Sequence, residues 1–292
     1  MDSVPYAFCE AVCGVLCTIQ EMSAGSGTNY AIWNLAAKGT RERRLDAVID
    51  VDCRDGTWRY EIIITGDTWN NERTISFQDF KKLNRQHIHL NVVRMGSQSV
   101  FGSRTSTLEE IAEIIKFTAP CVNWSRIVIS QRCSVPEDDL SRLLSFYQNA
   151  TFRQIACLYQ NRASEQFLIA QMQTNALKIL KFEGRGWTEE LRLAIEEFAL
   201  NKDFGRIDVR SPSLVFGRAF FDALVQKPFF RKRSMFEAQF SFDTKELRAS
   251  GFKDIGGMYV GQEMRRIRKD GVSVTIGQYK WLSVELMHPL KY

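Results

Sequence analysis

The sequence lacks the short signatures that would mark a catalytic or cofactor-binding chain. No G-x-S-x-G, H-E-x-x-H, Walker A or Rossmann glycine fingerprint occurs, so a nucleophile elbow, a zinc-protease helix and a glycine-rich phosphate cradle all lack support. Histidine is scarce, with 3 in 292 residues. The 7 cysteines, Cys9, Cys13, Cys17, Cys53, Cys121, Cys133 and Cys157, contain no CxxC pair. A zinc finger or thioredoxin-type site is therefore not indicated. Their odd, scattered distribution fits a reduced chain of the cytoplasm. A basic leader is also missing. The apolar run VPYAFCEAVCGVLCTI at 4–19 follows Asp2, is interrupted by Glu10 and precedes the first basic residue, Lys38. It reads as a buried amphipathic helix, neither a signal peptide nor a membrane span. Large charge excess is absent too. The net charge of +5, with 45% hydrophobic and 25% charged residues, excludes wholesale disorder and collagen-like character.

What is present is a change of period along the chain. A first helix is expected over 5–19 and a second over 30–38, separated by the Gly/Ser stretch SAGSGTN at 23–29. The period then becomes two. Leu45, Ala47, Ile49, Val51 and Cys53 alternate with polar residues, and so do Trp58, Tyr60, Ile62 and Ile64. Asp55-Gly56 between them predicts a β-hairpin, because a tight two-residue turn needs positive φ. A short helix, 77–83, follows.

From about residue 86 strands and helices alternate. Strands are predicted at 87–95, 124–130, 152–159, 177–183 and 204–210. Helices are predicted at 108–117, 138–148, 166–173, 189–199 and 216–225. Ser106 with Glu109, and Ser134 with Glu137, read as capping boxes, and Thr188 as an N-cap. One β–α unit cannot bury its apolar face alone, so the spacing predicts stacked units sharing a core. The fold class is α/β: an N-terminal helical segment and a β-hairpin, then a degenerate leucine-rich-repeat-like parallel sheet with outer helices, then a β-rich C-terminal cap. The corresponding regions are 1–44, 45–85, 86–228 and 229–292. In the last, 235–242 alternates like a strand, and 272–276 with 281–287 reads as a terminal strand pair.

Candidate chemistry is sparse. His87 and His89 stand two apart on a predicted strand, yet no carboxylate or cysteine partner is evident, and a polar strand face is the reading. Asp50 and Asp52 share a strand face and read as solvated residues near the hairpin. Cys9, Cys13 and Cys17 form one helical stripe and read as small buried hydrophobes. No catalytic residue, metal site or cofactor is assigned. On the predicted sheet, Ile127, Ile129, Ile207 and Val209 would fill the core. Arg126, Arg206, Asp208 and Arg210 would then face a partner on the concave side, where arginine suits interface anchoring. Positive charge gathers at the C-terminal end, with 13 Lys and Arg against 7 Asp and Glu from Lys227 onward. Arg231, Lys232, Arg233, Arg265, Arg266 and Arg268 are the phosphate or nucleic-acid candidates, compatible with a nuclear address. A solvated face is the favoured reading of these clusters, since no nucleic-acid-binding motif accompanies them.

The opening MDSVPYAFCEAV, Trp33 after Ile32, the hairpin segment GTWRYEI and the segment ALKILKFEGRGWTEELRLAIEEFA resemble a nematode-expanded family of F-box and F-box-associated proteins. The likeness runs over most of the chain. Val4-Pro5, Phe8, Val12, Leu16 and then Trp33 follow the order of an F-box, with the Gly/Ser stretch standing where that family has helix. The resemblance implies a non-enzymatic protein-interaction module, a substrate-recruiting adaptor of an SCF-type ubiquitin ligase. Pro5, Phe8, Val12 and Leu16 would dock a Skp1-like adaptor, and the repeats would hold a substrate. A nucleic-acid-binding protein using the basic C-terminal patch is the alternative.

Overall fold

The computed structural model describes residues 8–9, 12, 31–65, 72–96, 103–122, 125–130, 135–158, 161–228, 233–242, 244–255, 262–270, 273–278 and 282–287. Two compact units result, 1–128 with 132–152, and 129–131 with 153–292. The expected repeat region 86–228 runs across that division.

In the first unit, Phe8, Cys9 and Val12 have helical backbone; the rest of the expected 5–19 helix lies outside the described residues. The second helix, α1 (Ala31–Arg43), is longer than expected. Buried Cys9 packs on Ala36, with Trp33 and Ala37 beside them. Next comes the hairpin of β1 (Leu45–Arg54) and β2 (Thr57–Thr65), paired antiparallel. Asp55 and Gly56 have φ of 50° and 73°, the primed-turn geometry that suits the strands' twist. Strand β3 (Glu72–Ile75) pairs the far half of β2, and α2 (Phe77–Lys81) follows it. Strand β4 (Ile88–Met95) lies parallel to β1. Strand β5 (Arg104–Ser106) pairs the near half of β2. Helix α3 (Leu108–Thr118), strand β6 (Arg126–Ile129) and helix α4 (Glu137–Ser145) complete the series. Alternation places Ala47, Ile49, Val51, Trp58, Tyr60, Ile62 and Ile64 in the core. Above them Phe117 of α3 meets the rings of Phe77 and Phe80.

The second unit contains β7 (Gln154–Cys157), α5 (Arg162–Met172), β8 (Ile179–Glu183), α6 (Glu189–Asn201), β9 (Arg206–Arg210), β10 (Val215–Phe216), α7 (Arg218–Gln226) and β11 (Arg233–Phe240). Then come α8 (Thr244–Ala249), β12 (Lys253–Asp254), β13 (Gln262–Ile267), β14 (Ser273–Gln278) and β15 (Leu282–Met287). The sheet runs β7-β8-β9-β11-β15-β14-β13-β12. Its first four strands are parallel and stand in chain order. The last four are antiparallel and make up the expected β-rich C-terminal region. Helix α6 touches both α5 and α7, so the three flank one face of the sheet. The register aligns Ile155, Leu180, Ile207, Phe236, Val284, Ile276 and Met264 in one row across seven strands. Every member of that row is buried. The architecture is therefore α/β with in-order parallel strands, flanking helices and a C-terminal antiparallel section.

Several element starts differ from expectation for local reasons. Strand β4 begins at Ile88, because Arg85–His87 forms a 3-10 turn capped by Asn84; His87 and His89 do not share a strand face. The N-cap of α3 is Thr107, which accepts from Glu110 N–H at 3.2 Å, and not Ser106. The N-terminus of α4 is Pro136 with no side-chain cap. Helix α5 starts four residues early, at a capping box of Asn161 and Ser164. The Thr188 cap of α6 forms as expected, at 3.4 Å to Leu191 N–H.

Two substitutions probe these features. Phe182 is fully buried and meets Trp187 edge-on at 5.5 Å; Phe182→Ala is expected to cost about 3–5 kcal/mol in urea unfolding. At Gly56 an added Cβ would meet nothing within 4 Å, so Gly56→Ala costs only its positive-φ strain, about 1 kcal/mol.

Candidate functional site

Period two gives each sheet a second face. In the second unit this face carries charge. Lys181 on β8, Asp208 on β9 and Glu237 on β11 lie side by side in one register row. Arg206 and Arg210 flank Asp208 on β9. Asp208 is only 1% exposed. Its carboxylate accepts from Arg206 Nη2 at 3.2 Å and from Arg210 Nε at 3.0 Å. Arg206 also lies 3.6 Å from Glu237, and Arg210 3.7 Å from Glu183. Lys181 pairs with Glu183 at 3.5 Å. Burial lifts the Glu237 carboxyl above its ordinary pKa, and the Asp208 charge adds to the rise, while Arg210 and Arg206 oppose it. The result is two partly exposed guanidinium groups held by one buried carboxylate.

Such groups are suited to recognition. A guanidinium fixed by one carboxylate keeps further N–H donors for a second acceptor, and its orientation is set before the partner arrives. Arg206, Asp208 and Arg210 were expected on this face; Lys181, Glu183 and Glu237 complete it. Their alternation with Leu180, Phe182, Phe236 and Ala238 was the available signal. Arg126 is an exposed residue of the first unit's β6.

The first unit shows the same habit. Asp50 and Asp52 are buried, not solvated. Asp50 lies 3.1 Å from Arg94, and Asp52 accepts from Arg54 Nε at 2.6 Å. Burial raises the Asp50 pKa despite Arg94. Burial would likewise raise that of Asp46, but the hydrogen bond to His89 and the charge of Arg44 outweigh it and hold the carboxyl below its usual range. His89 Nδ1 stands 2.9 Å from Asp46 and 2.7 Å from Arg44. His89 is thus part of an ion-paired sheet face.

The described thiols offer little reactivity. Cys9, Cys53, Cys121 and Cys157 are buried, and burial pushes the Cys53 and Cys121 thiols up in pKa. Among the described residues no group of three or more His, Cys, Asp and Glu side chains is placed to hold a metal ion, and no helix is long and apolar enough to cross a membrane.

The remaining expected residues divide by surroundings. Phe8 stacks edge-to-face on Trp33 at 6.3 Å between centroids, yet is 56% exposed. Leu35 and Ile32 on α1 are exposed as well. Val12 is half-buried; Pro5 and Leu16 lie outside the described residues, as do Arg231 and Lys232. Arg233 pairs with Glu285. Arg268 donates to the Val225 and Lys227 carbonyls at 2.9 and 2.7 Å, so it ties down the end of α7. Arg265 is exposed, and Arg266 donates to the Ser250 carbonyl at 3.2 Å. Among the described basic residues, Arg233, Arg266 and Arg268 thus bind other groups of the chain.

No family model, curated protein or solved structure matches this chain.

If Asp208 holds the arginine pair, Asp208→Ala leaves two like charges without their buried counter-ion. The expected loss is about 2 kcal/mol, below the roughly 3–5 of a fully buried pair because both arginines reach solvent. Urea unfolding of Asp208→Ala beside Glu237→Gln, which should cost less, checks the ranking.

Proposed function

We propose that the protein is a non-enzymatic interaction module, a substrate-recruiting adaptor of the SCF type acting in the cytoplasm or nucleus. The observation that carries this reading is the apolar surface of the N-terminal segment. Phe8 at 56% and Leu35 at 62% exposure are large hydrophobes left in water by the pairing of Phe8 with Trp33 and of Cys9 with Ala36. Exposing such residues costs free energy that a partner's groove would recover. The order Val4-Pro5, Phe8, Val12, Leu16 and Trp33, similar to that of an F-box, makes a Skp1-like adaptor the partner of choice. The second surface is the charged sheet face, where Arg206 and Arg210 would meet the recruited substrate. Its guanidinium groups are held by Asp208 and half-exposed, and arginine is enriched among the residues that anchor interfaces.

The experiment is a pull-down of the purified chain with a Skp1-like adaptor. Wild type is expected to bind at micromolar concentration. Phe8→Asp and Leu35→Asp should each weaken binding by on the order of tenfold or more, with the circular dichroism unchanged. Absence of binding at micromolar concentration, or variants that bind like wild type, would overturn the adaptor reading.

A further inference from the structure

The second unit contains a feature that the strand pattern does not disclose. Three successive helix-to-strand connections, α5 to β8, α6 to β9 and α7 to β11, converge on a cavity of about 280 Å³. Each contributes one lysine: Lys178, Lys202 and Lys227. Asn175, Asp203 and Pro228 complete the part of the wall that matters.

Lysines often satisfy the last carbonyls of a helix, where the dipole is negative. Lys227 does this: its ammonium donates to the Ala199 carbonyl of α6 at 2.7 Å and to the Lys202 carbonyl. Lys178 donates to the Asp203 carbonyl at 2.8 Å, beyond the end of α6. Lys202 donates to the Asn175 side-chain oxygen at 2.8 Å. Neither bond reaches a carbonyl within a helix.

The described wall of the cavity includes three lysines and one carboxylate, and Asp203 lies 4.0 Å from Lys178. Burial pulls the pKa of Lys227 down to about 8; the Asp203 charge opposes the fall and the Lys178 charge adds a smaller part to it. An anion entering the cavity would replace the water that the buried ammonium has lost.

We propose that this cavity binds a small anion of the phosphate class through Lys178, Lys202 and Lys227. Point-charge ammonium groups approaching from three separate connections suit a tetrahedral polyanion, whereas a planar carboxylate favours the fork of an arginine. Size narrows the choice. The volume of about 280 Å³ falls at the lower edge of the roughly 300–1,000 Å³ of pockets for drug-sized ligands. An inorganic phosphate or compact phosphomonoester fits, and a dinucleotide does not. The inference stands apart from the adaptor reading, since it uses neither the N-terminal segment nor the charged sheet face.

Isothermal titration of the full chain with inorganic phosphate, glycerol phosphate and acetate at matched ionic strength tests it. Saturable binding of either phosphate in the millimolar range or tighter, with acetate much weaker, is expected. Equal affinity for both phosphates assigns the site to the phosphoryl group alone; tighter binding of glycerol phosphate assigns it to a phosphomonoester. Lys202→Gln and Lys178→Gln should each lose on the order of tenfold in affinity. Lys227→Met should lose more, but it also removes a helix cap. Lys202→Gln, whose bond is to a side chain, is therefore the deciding variant, with circular dichroism to confirm its fold. Arg265→Gln on β13 should bind like wild type. Binding of neither phosphate above acetate, an unchanged Lys202→Gln, or an equal loss in Arg265→Gln would overturn the proposal.

Discussion

The row from Ile155 through Leu180, Ile207, Phe236, Val284 and Ile276 to Met264 is the constraint on which the second unit depends. No member can leave water unless its neighbours on both strands supply apolar surface at the same height. Burying one such side chain is worth about 1.5–3 kcal/mol, which is less than the cost of ordering a strand of four or five residues. A single β–α unit is therefore unstable alone, and the row becomes favourable only as units accumulate. The same need explains why parallel and antiparallel strands join in one sheet. Strand β11 offers Phe236 to Ile207 on one side and to Val284 on the other.

Fixing this row fixes the opposite face. A strand cannot move its apolar residues inward without presenting the intervening ones outward, and a slip of one residue would exchange the two sets. Arg206, Asp208, Arg210, Lys181, Glu183 and Glu237 are thus assembled by the core. Their mutual arrangement follows from register: Asp208 is flanked by Lys181 and Glu237, and its own strand supplies arginines two residues away in each direction. The burial of Asp208 among longer side chains is then tolerable, because two guanidinium groups replace the water it has lost. The first unit solves the same problem with Asp50 and Arg94, and with Asp52 and Arg54.

The same dependence on period and pairing makes some elements legible in the chain itself and hides others. Period-two alternation and Asp55-Gly56 were sufficient for the hairpin, since the turn demands positive φ and little else offers it so cheaply. The strand–helix order from Ile88 onward was visible for the same reason: apolar spacing changes from two to between three and four residues. Asp50 reads as solvated because its partner, Arg94, is distant along the chain, and Asp52 because alternation alone does not show that the Arg54 side chain of its own strand pairs with it. Caps were displaced by a residue or more where two hydroxyl or amide candidates stood close together, as with Ser106 and Thr107. Strand β13 was missed because QEMRRI presents only Met264 to the core row. Its exposed Arg265 and Ile267 carry no clear alternation, and its place is set by pairing with β14.

The loop lysines lie beyond the reach of any period. Lys178, Lys202 and Lys227 belong to connections, where neither strand nor helix spacing applies, and each looks alone like an ordinary solvated residue. What brings them together is the repeat itself. When strands stand side by side in chain order, equivalent positions of successive connections are neighbours at one end of the sheet. One lysine per unit becomes a cluster without any two being close in sequence. Stacking thus produces two kinds of surface from one cause. The strand face carries charges that neutralise each other within its own network. The connection end brings three lysines together on a cavity wall that also includes Asp203. A lysine-lined cavity suits a small anion, and a charged network on a strand face suits a partner with its own charge pattern. The two surfaces therefore differ in what they can recognise, although the same apolar row builds both.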